Sequence, residues 1–334
     1  MMKQLLFIFL LFNTYFSLGQ KKENWDNEKI QRVIEYAKEI GTYALVIQTD
    51  GQIIVSEGNI DKVSRVHSIR KAIIGALVFQ NLDTINLNAT LKDMEIQDFP
   101  ISLTELQRQT KVLHLLKSTS GINHPTGSQI GKMQEDRDLL LGNEPNIPGT
   151  KWAYNNWDYN VLTTILEEQT GKSTLDLFEK GIAVPLEIND FEVIYRSDTT
   201  LSKHAKAGFR LSTRDMAKFG QLFLNKGKWK EKQLIPIEWI EKITTDFTVT
   251  TNQSNERYGH GYLWWIHDKS YAEGLLPEGS FVATGAWGQR ILVIPEWNTV
   301  IAHKVMTDIP SKQRKRVTRK EFEQLIILIS KSKT

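Results

Sequence analysis

Ser68-Ile69-Arg70-Lys71-Ala72-Ile73-Ile74-Gly75-Ala76-Leu77-Val78-Phe79 opens with a serine and a lysine three residues apart and runs on as an almost unbroken apolar segment. Apolar residues on every side of a helical turn predict a helix buried in a core. Residues i and i+3 share a helix face, so Lys71 is expected one turn from the Ser68 hydroxyl. Read alone, the pair is commonplace: Ser68 is then a helix cap and Lys71 a surface lysine. Two downstream segments change that reading.

A serine hydroxyl becomes an effective nucleophile only when a neighbouring base takes its proton. Lys71 can be that base if burial lowers its ammonium pKa, and Arg70 adds to the effect only if it faces inward. A serine at a helix start also lies where backbone N–H groups favour developing negative charge. Pro148-Gly149-Thr150-Lys151-Trp152-Ala153-Tyr154-Asn155-Asn156 follows, a turn with aromatic and amide groups. Tyr154 can relay the Ser68 proton to a leaving group, and the Asn156 amide can bond the substrate or hold Lys71. The bland alternative is an aromatic turn packed before a helix. Ala283-Thr284-Gly285-Ala286-Trp287 comes third, at the end of a strand that can pair with an extended substrate. There the Ala286 N–H can join that of Ser68 around an oxyanion.

With these residues the chain resembles the serine β-lactamase and penicillin-binding protein superfamily. It is most similar to the branch of class C β-lactamases, DD-peptidases, related esterases and 6-aminohexanoate-oligomer hydrolases. The resemblance extends over Leu113 to Gly121, Pro148 to Asn160, Leu211 to Gly220, Tyr258 to Trp265 and Gly285 to Pro295. It implies an acyl-enzyme on Ser68, with Lys71 and Tyr154 as the proton-transfer unit. Asn156, Ala283, Thr284, Gly285, Ala286 and Trp287 are then the substrate and oxyanion residues. One position departs: Ala283 stands where the family carries lysine or histidine before Thr-Gly. Loss of that cation weakens the case for substrates bearing a carboxylate, unless Arg290 faces the cleft. Trp152, Trp157, Trp264, Trp265 and Trp287 suggest instead a pocket for an uncharged or apolar acyl group.

The surrounding pattern predicts an α+β fold of the β-lactamase/DD-peptidase type. Asn27 to Ile40 has helical periodicity, and Tyr43–Gln48 and Gln52–Ser56 read as strands joined at Asp50-Gly51. Helical pieces are expected over 103–109, 112–117, 159–170 and 216–224, and strands over 261–266, 280–284, 289–294 and 299–304. Strands at both ends and helices between predict one antiparallel sheet built from both termini and flanked by helices, with an inserted mainly helical subdomain. The expected division is a signal peptide over 1–19 and one catalytic domain over 20–334. Its sheet region covers about 20–75 and 235–334, and its helical region about 76–234.

At 334 residues with 40% hydrophobic and 24% charged residues, the chain can bury a large core. A net charge of +3 points to no nucleic-acid partner. Six basic residues lie between Lys312 and Lys320; they read as a solvated loop and first turn before an apolar helix rather than as a binding patch. The absence of cysteine excludes disulfides, a thiol nucleophile and a lipid-attached cysteine. The seven histidines show no metal-ligand spacing, so no metal or other cofactor is expected. A basic start, the apolar Leu5–Phe16 core and Ser17-Leu18-Gly19 read as an export signal, giving a periplasmic or secreted protein with no stable membrane insertion. The expectation is an exported serine hydrolase acting on a small ester, amide or peptide. Its rivals are a β-lactamase or DD-peptidase proper and a non-hydrolytic binding or sensor protein of the same fold.

Overall fold

Asp50 and Gly51 both take positive φ (51° and 75°), and the runs around them pair antiparallel as β1 (Ala44–Thr49) and β2 (Gln52–Gly58). They belong to a computed structural model that describes residues 25–251, 257–267 and 274–334; the expected export signal lies outside the described residues. Ahead of the hairpin, α1 (Asn27–Glu39) is capped by Asp26. After it come β3 (Ser64–Arg65), a 3-10 turn over His67–Ile69, and α2 (Arg70–Gln80). The middle of the chain holds α3 (Val112–Leu116), α4 (Lys132–Leu141), α5 (Asn156–Thr170) and α6 (Thr174–Phe178). It continues with β4 (Glu192–Asp198), β5 (Ser202–Leu211), α7 (Thr213–Leu224), β6 (Lys228–Trp229), β7 (Lys232–Gln233) and α8 (Ile237–Thr245). The last part has β8 (Thr248–Thr251), β9 (Arg257–Gly261), β10 (Trp264–His267) and β11 (Ser280–Gly285). β12 (Gln289–Ile294), β13 (Thr299–Lys304) and α9 (Arg319–Ser332) complete the described chain.

The two termini build one sheet, as expected. Its eight strands run β2-β1-β13-β12-β11-β10-β9-β8, all neighbours antiparallel. β1 lies against β13 with Val46 opposite Ala302. Side chains alternate between faces, so this one sheet serves two cores. Leu45, Ile47, Leu292 and Ile301 pack with Val33 of α1 and Leu325 and Ile329 of α9. Val46, Ile291, Val300 and Ala302 face the larger core of α2, α5 and α7.

Four features differ from expectation. The run 261–266 is broken at Tyr262 and Leu263, whose φ values of 49° and 73° make a tight turn between β9 and β10. Both residues are buried, and α2 lies against the turn: a Cβ at Gly75 would stand 3.3 Å from Leu263 Cδ1. Residues 103–106 are not helical, and only a 3-10 turn forms at Gln107–Gln109. Thr104 and Gln107 there satisfy each other's backbone N–H groups through their side chains, a local alternative to helix. The region expected to be mainly helical contains the β4–β5 hairpin, which joins β3 in a three-stranded sheet. Finally, α7 packs on the main sheet, where the absence of a side chain at Gly220 lets it approach Val300 and Ile291.

Candidate active site

Ser68 is half-buried in the 3-10 turn ahead of α2, and its side chain caps nothing. The turn is set by His67, whose φ of 52° is uncommon for a residue with a Cβ, and whose Nε2 lies 2.8 Å from Thr307 Oγ1. From that position the Ser68 hydroxyl stands close enough to the Tyr154 phenol to favour its charged form. Lys71, one turn on, is 3% exposed, and its Nζ lies 4.7 Å from the Tyr154 ring centroid and 4.8 Å from that of Tyr159. Three of the expected groups are therefore neighbours: hydroxyl, amine and phenol.

Their electrostatics suit a neutral base. Burial, then the Arg70 and Lys206 charges, push the Lys71 ammonium pKa well below its usual value. Arg70 does face inward: it is buried, and its Nη2 donates to Asn160 Oδ1 at 2.9 Å. Lys206 of β5, brought in by the β4–β5 hairpin, is itself lowered to about 8 by burial and by Arg70. Burial pushes the Tyr154 phenol up, so it stays protonated, with the nearby Ser68 hydroxyl opposing the shift. Burial also raises Tyr159, whose hydroxyl pairs with Ser118 Oγ at 2.9 Å.

Asn156 is neither bonded to Lys71 nor part of the cleft lining among the described residues. Its Nδ2 donates to the Ser128 carbonyl at 2.8 Å, and its N–H donates to Gln129 Oε1 at 2.9 Å. Gln129 in turn donates to the Tyr154 carbonyl at 2.9 Å. Asn156 thus holds the loop that carries Tyr154. Asn155 caps α5 and donates to Asp158 Oδ1 at 2.9 Å.

The end of β11 reaches the site because Gly285 has no side chain: a Cβ there would lie 2.4 Å from the Val66 carbonyl. Thr284, Gly285 and Ala286 consequently line one cleft with Ser68 and Tyr154, with a volume of about 700 Å³. Ala283 is 2% exposed and belongs to the core with Ile291, its cross-strand partner; it does not line the cleft. Trp287 is also outside the lining. Its carbonyl accepts from Val317 N at 3.0 Å and Arg314 lies over its ring, so it fixes the chain that leads to α9.

Several lining residues were not foreseen. Arg316 and Arg319 line the cleft together with Phe322 of α9, beside Arg290, which does face the cleft. The basic run is therefore more than a solvated loop: two of its arginines are brought to the site by the return of the chain past β13. Met133, Leu139 and Leu140 of α4 also line it. Behind the wall, His260 is 1% exposed between the rings of Trp152 and Trp265, with centroids 5.4 and 4.9 Å away. Burial, and then the Lys71 charge, lower its pKa to about 3. The basic cluster was a visible signal for the arginines; nothing local marked α4 or His260.

Comparison with known proteins agrees with this fold. The Beta-lactamase family model matches residues 30–325. An uncharacterised protein of Alkalihalophilus pseudofirmus is 28% identical over 262 residues, 72% of each chain. A penicillin-binding protein homologue from Caulobacter crescentus has a similar fold, with a TM-score of 0.66 at 13% identity over 91% of this chain and 97% of that one. EstCE1, a hydrolase with promiscuous acyltransferase activity, gives a TM-score of 0.65 at 14% identity over 90% and 98%. With the matched segment covering both termini of the sheet, the Ser68 turn and the end of β11, the chain belongs to the beta-lactamase family.

Proposed function

We propose that this protein is an exported serine hydrolase that cleaves an ester or amide through an acyl-enzyme on Ser68. The observation that carries the reading is that Ser68 and Tyr154 line one open cleft, with the buried amine of Lys71 4.7 Å from the Tyr154 ring centroid. Neutral Lys71 accepts the Ser68 proton, directly or through the Tyr154 hydroxyl, as Oγ bonds the substrate carbonyl carbon. The N–H groups of Ser68 and Ala286 hold the resulting oxyanion. When the tetrahedral adduct collapses, the proton returns through Tyr154 to the departing oxygen or nitrogen. Water then repeats the sequence on the acyl-enzyme, releasing the acid and restoring Ser68. Export is supported by the apolar Leu5–Phe16 stretch and its small-residue flank. The likeness to a hydrolase with acyltransferase activity fits the same chemistry.

The test is intact-mass analysis after treatment with a fluorophosphonate, followed by peptide mapping and a panel of activated esters and amides. One adduct, on Ser68, and its loss in Ser68→Ala are expected. An adduct elsewhere, or no adduct and no turnover, refutes the reading and favours a binding protein of this fold.

A second reading, action on β-lactams or cell-wall peptides, is favoured by one observation. Arg290, Arg316 and Arg319 line the cleft, and they can hold a substrate carboxylate although Ala283 cannot. A charge-assisted hydrogen bond is worth roughly 1.5–3 kcal/mol. Arg316→Ala should then reduce kcat/KM for benzylpenicillin by about tenfold or more and leave p-nitrophenyl acetate unchanged. Equal effects on the two substrates would exclude a carboxylate role for Arg316.

A further inference from the structure

The cleft has an aliphatic wall that the acyl-transfer chemistry leaves unused. Met133, Asp136, Arg137 and Leu140 stand at i, i+3, i+4 and i+7 of α4 and share the face that lines the cleft, with Leu139 beside them. The two charged members are already engaged. Arg137 is buried and donates to the His124 carbonyl at 2.7 Å and to Asp138 at 2.9 Å, and Asp136 accepts from Lys132 at 3.0 Å. What this face offers to solvent is therefore largely apolar: Met133 is 41%, Leu140 39% and Leu139 71% exposed. Trp152 and Trp265 line the same cleft, their ring centroids 5.9 Å apart, and Trp265 stacks on Tyr154 at 5.9 Å.

The helix is also tied to the reacting end of the cleft. The Gln129 side-chain amide donates to the Met133 carbonyl at 2.8 Å and to the Tyr154 carbonyl at 2.9 Å, so one side chain sets the distance between wall and phenol. Single exposed leucines are ordinary, whereas clustered apolar side chains continuous with a concave site mark a ligand surface.

We propose that Met133, Leu139 and Leu140 are specificity-determining residues that, with Trp152 and Trp265, hold an aliphatic chain of the substrate. The identity of the reacting group rests on the hydrolase reading above; the binding of the chain does not. An aliphatic chain can belong to the acyl half or to the leaving alcohol, and its chemistry is the same in both.

The experiment has two catalytic arms and one binding arm. The first measures kcat/KM for p-nitrophenyl acetate, butyrate, hexanoate and octanoate, and the second for acetate esters of ethanol, butanol, hexanol and octanol. Full burial of a methylene corresponds to about fourfold. In one arm kcat/KM should rise by about two- to fourfold per methylene. The Leu139→Ser/Leu140→Ser variant should flatten that rise. Val184→Ser, an exposed apolar site outside the cleft lining, should leave it unchanged. The binding arm titrates 1-octanol and 1-butanol against tryptophan fluorescence. Octanol should bind more tightly, and the double variant should lose that difference.

Octanol binding without ester turnover would support the wall and refute the hydrolase. Turnover that is flat with chain length in both arms, or a slope that survives the double variant, would overturn the wall and leave the hydrolase standing. A dimer on size-exclusion chromatography that the double variant dissociates, with no change in slope, would also overturn it by assigning the face to self-association.

Discussion

Gly285→Ala isolates the contact that brings the proposed oxyanion donors together. The backbone at Gly285 is extended (φ −125°, ψ 155°), so alanine brings no conformational strain and the perturbation is purely steric. The added Cβ would lie 2.4 Å from the Val66 carbonyl oxygen and 3.0 Å from Gln289 Cβ. Against ordinary contact separations of about 3.5 Å, the first approach is short by roughly 1 Å. Neither side yields easily. Val66 leads directly into the turn of Ser68, and β11 is held by its ladder with β12. The expected response is a displacement of about 1 Å between Ser68 and Ala286, whose N–H groups converge on one oxygen in the proposed mechanism. A misplacement of that size costs on the order of a hundredfold in rate, similar to losing one oxyanion donor. Steady-state hydrolysis of p-nitrophenyl acetate, with a thermal melt on the same sample, gives the result. Gly127→Ala is the control, because its new Cβ meets only ordinary contacts at 3.6 Å. A Gly285→Ala enzyme that folds and keeps kcat within about twofold of wild type would refute the oxyanion assignment to this strand end.

Other outcomes follow from the same geometry. Lys71→Ala, Tyr154→Phe and the double variant should lose similar amounts of rate, because members of one proton-transfer unit are not additive; losses that multiply would show independent action. The rate should fall as pH drops and Lys71 gains a proton, and Lys206→Met, by removing a charge that lowers the Lys71 pKa, should move that acid limb to higher pH. An unmoved limb in the pH–rate profile would deny Lys206 this influence. Burial holds His204 and His67 at about 4 and His260 and His303 at about 3. Each is neutral when folded but titrates near 6.5 when unfolded, so stability should decline from pH 6.5 downward by about 1.4 kcal/mol per pH unit per histidine until the folded value is reached. Urea melts at pH 7.5 and 5.0 measure this, and His303→Gln should reduce the difference between them.

Much of the framework was legible because local chemistry dictated it. The apolar run after Lys71 leaves no polar face, so it can only be a buried helix, and Asp50-Gly51 supplies the positive φ that a tight hairpin needs. Gly171 in the left-handed region after α5 and Ser212 before α7 are caps of the same local kind. The turn at Tyr262-Leu263 was not legible, since neither residue favours positive φ and its setting is supplied by α2 and α8. Nor was the β4–β5 hairpin. Ala205, Ala207, Phe209 and Leu211 of β5 do alternate with Lys206, Gly208 and Arg210, but two alanines and a glycine make a weak strand signal, and the burial of β5 comes from α5, a separate element.

The site divides in the same way. Ser68, Lys71, Tyr154 and the Thr284-Gly285 strand end are distinguishable in the sequence because each depends on a short motif whose backbone geometry comes with it. The roles of Asn156 and Ala283 are not: which carbonyl an amide reaches, and which face of a strand is covered, depend on segments that close over them later. The same is true of Arg316, Arg319 and the leucines of α4. Their character can be read from the sequence, but a cleft is formed by distant surfaces, and only the packing of α4 and α9 around one sheet decides which side chains share it.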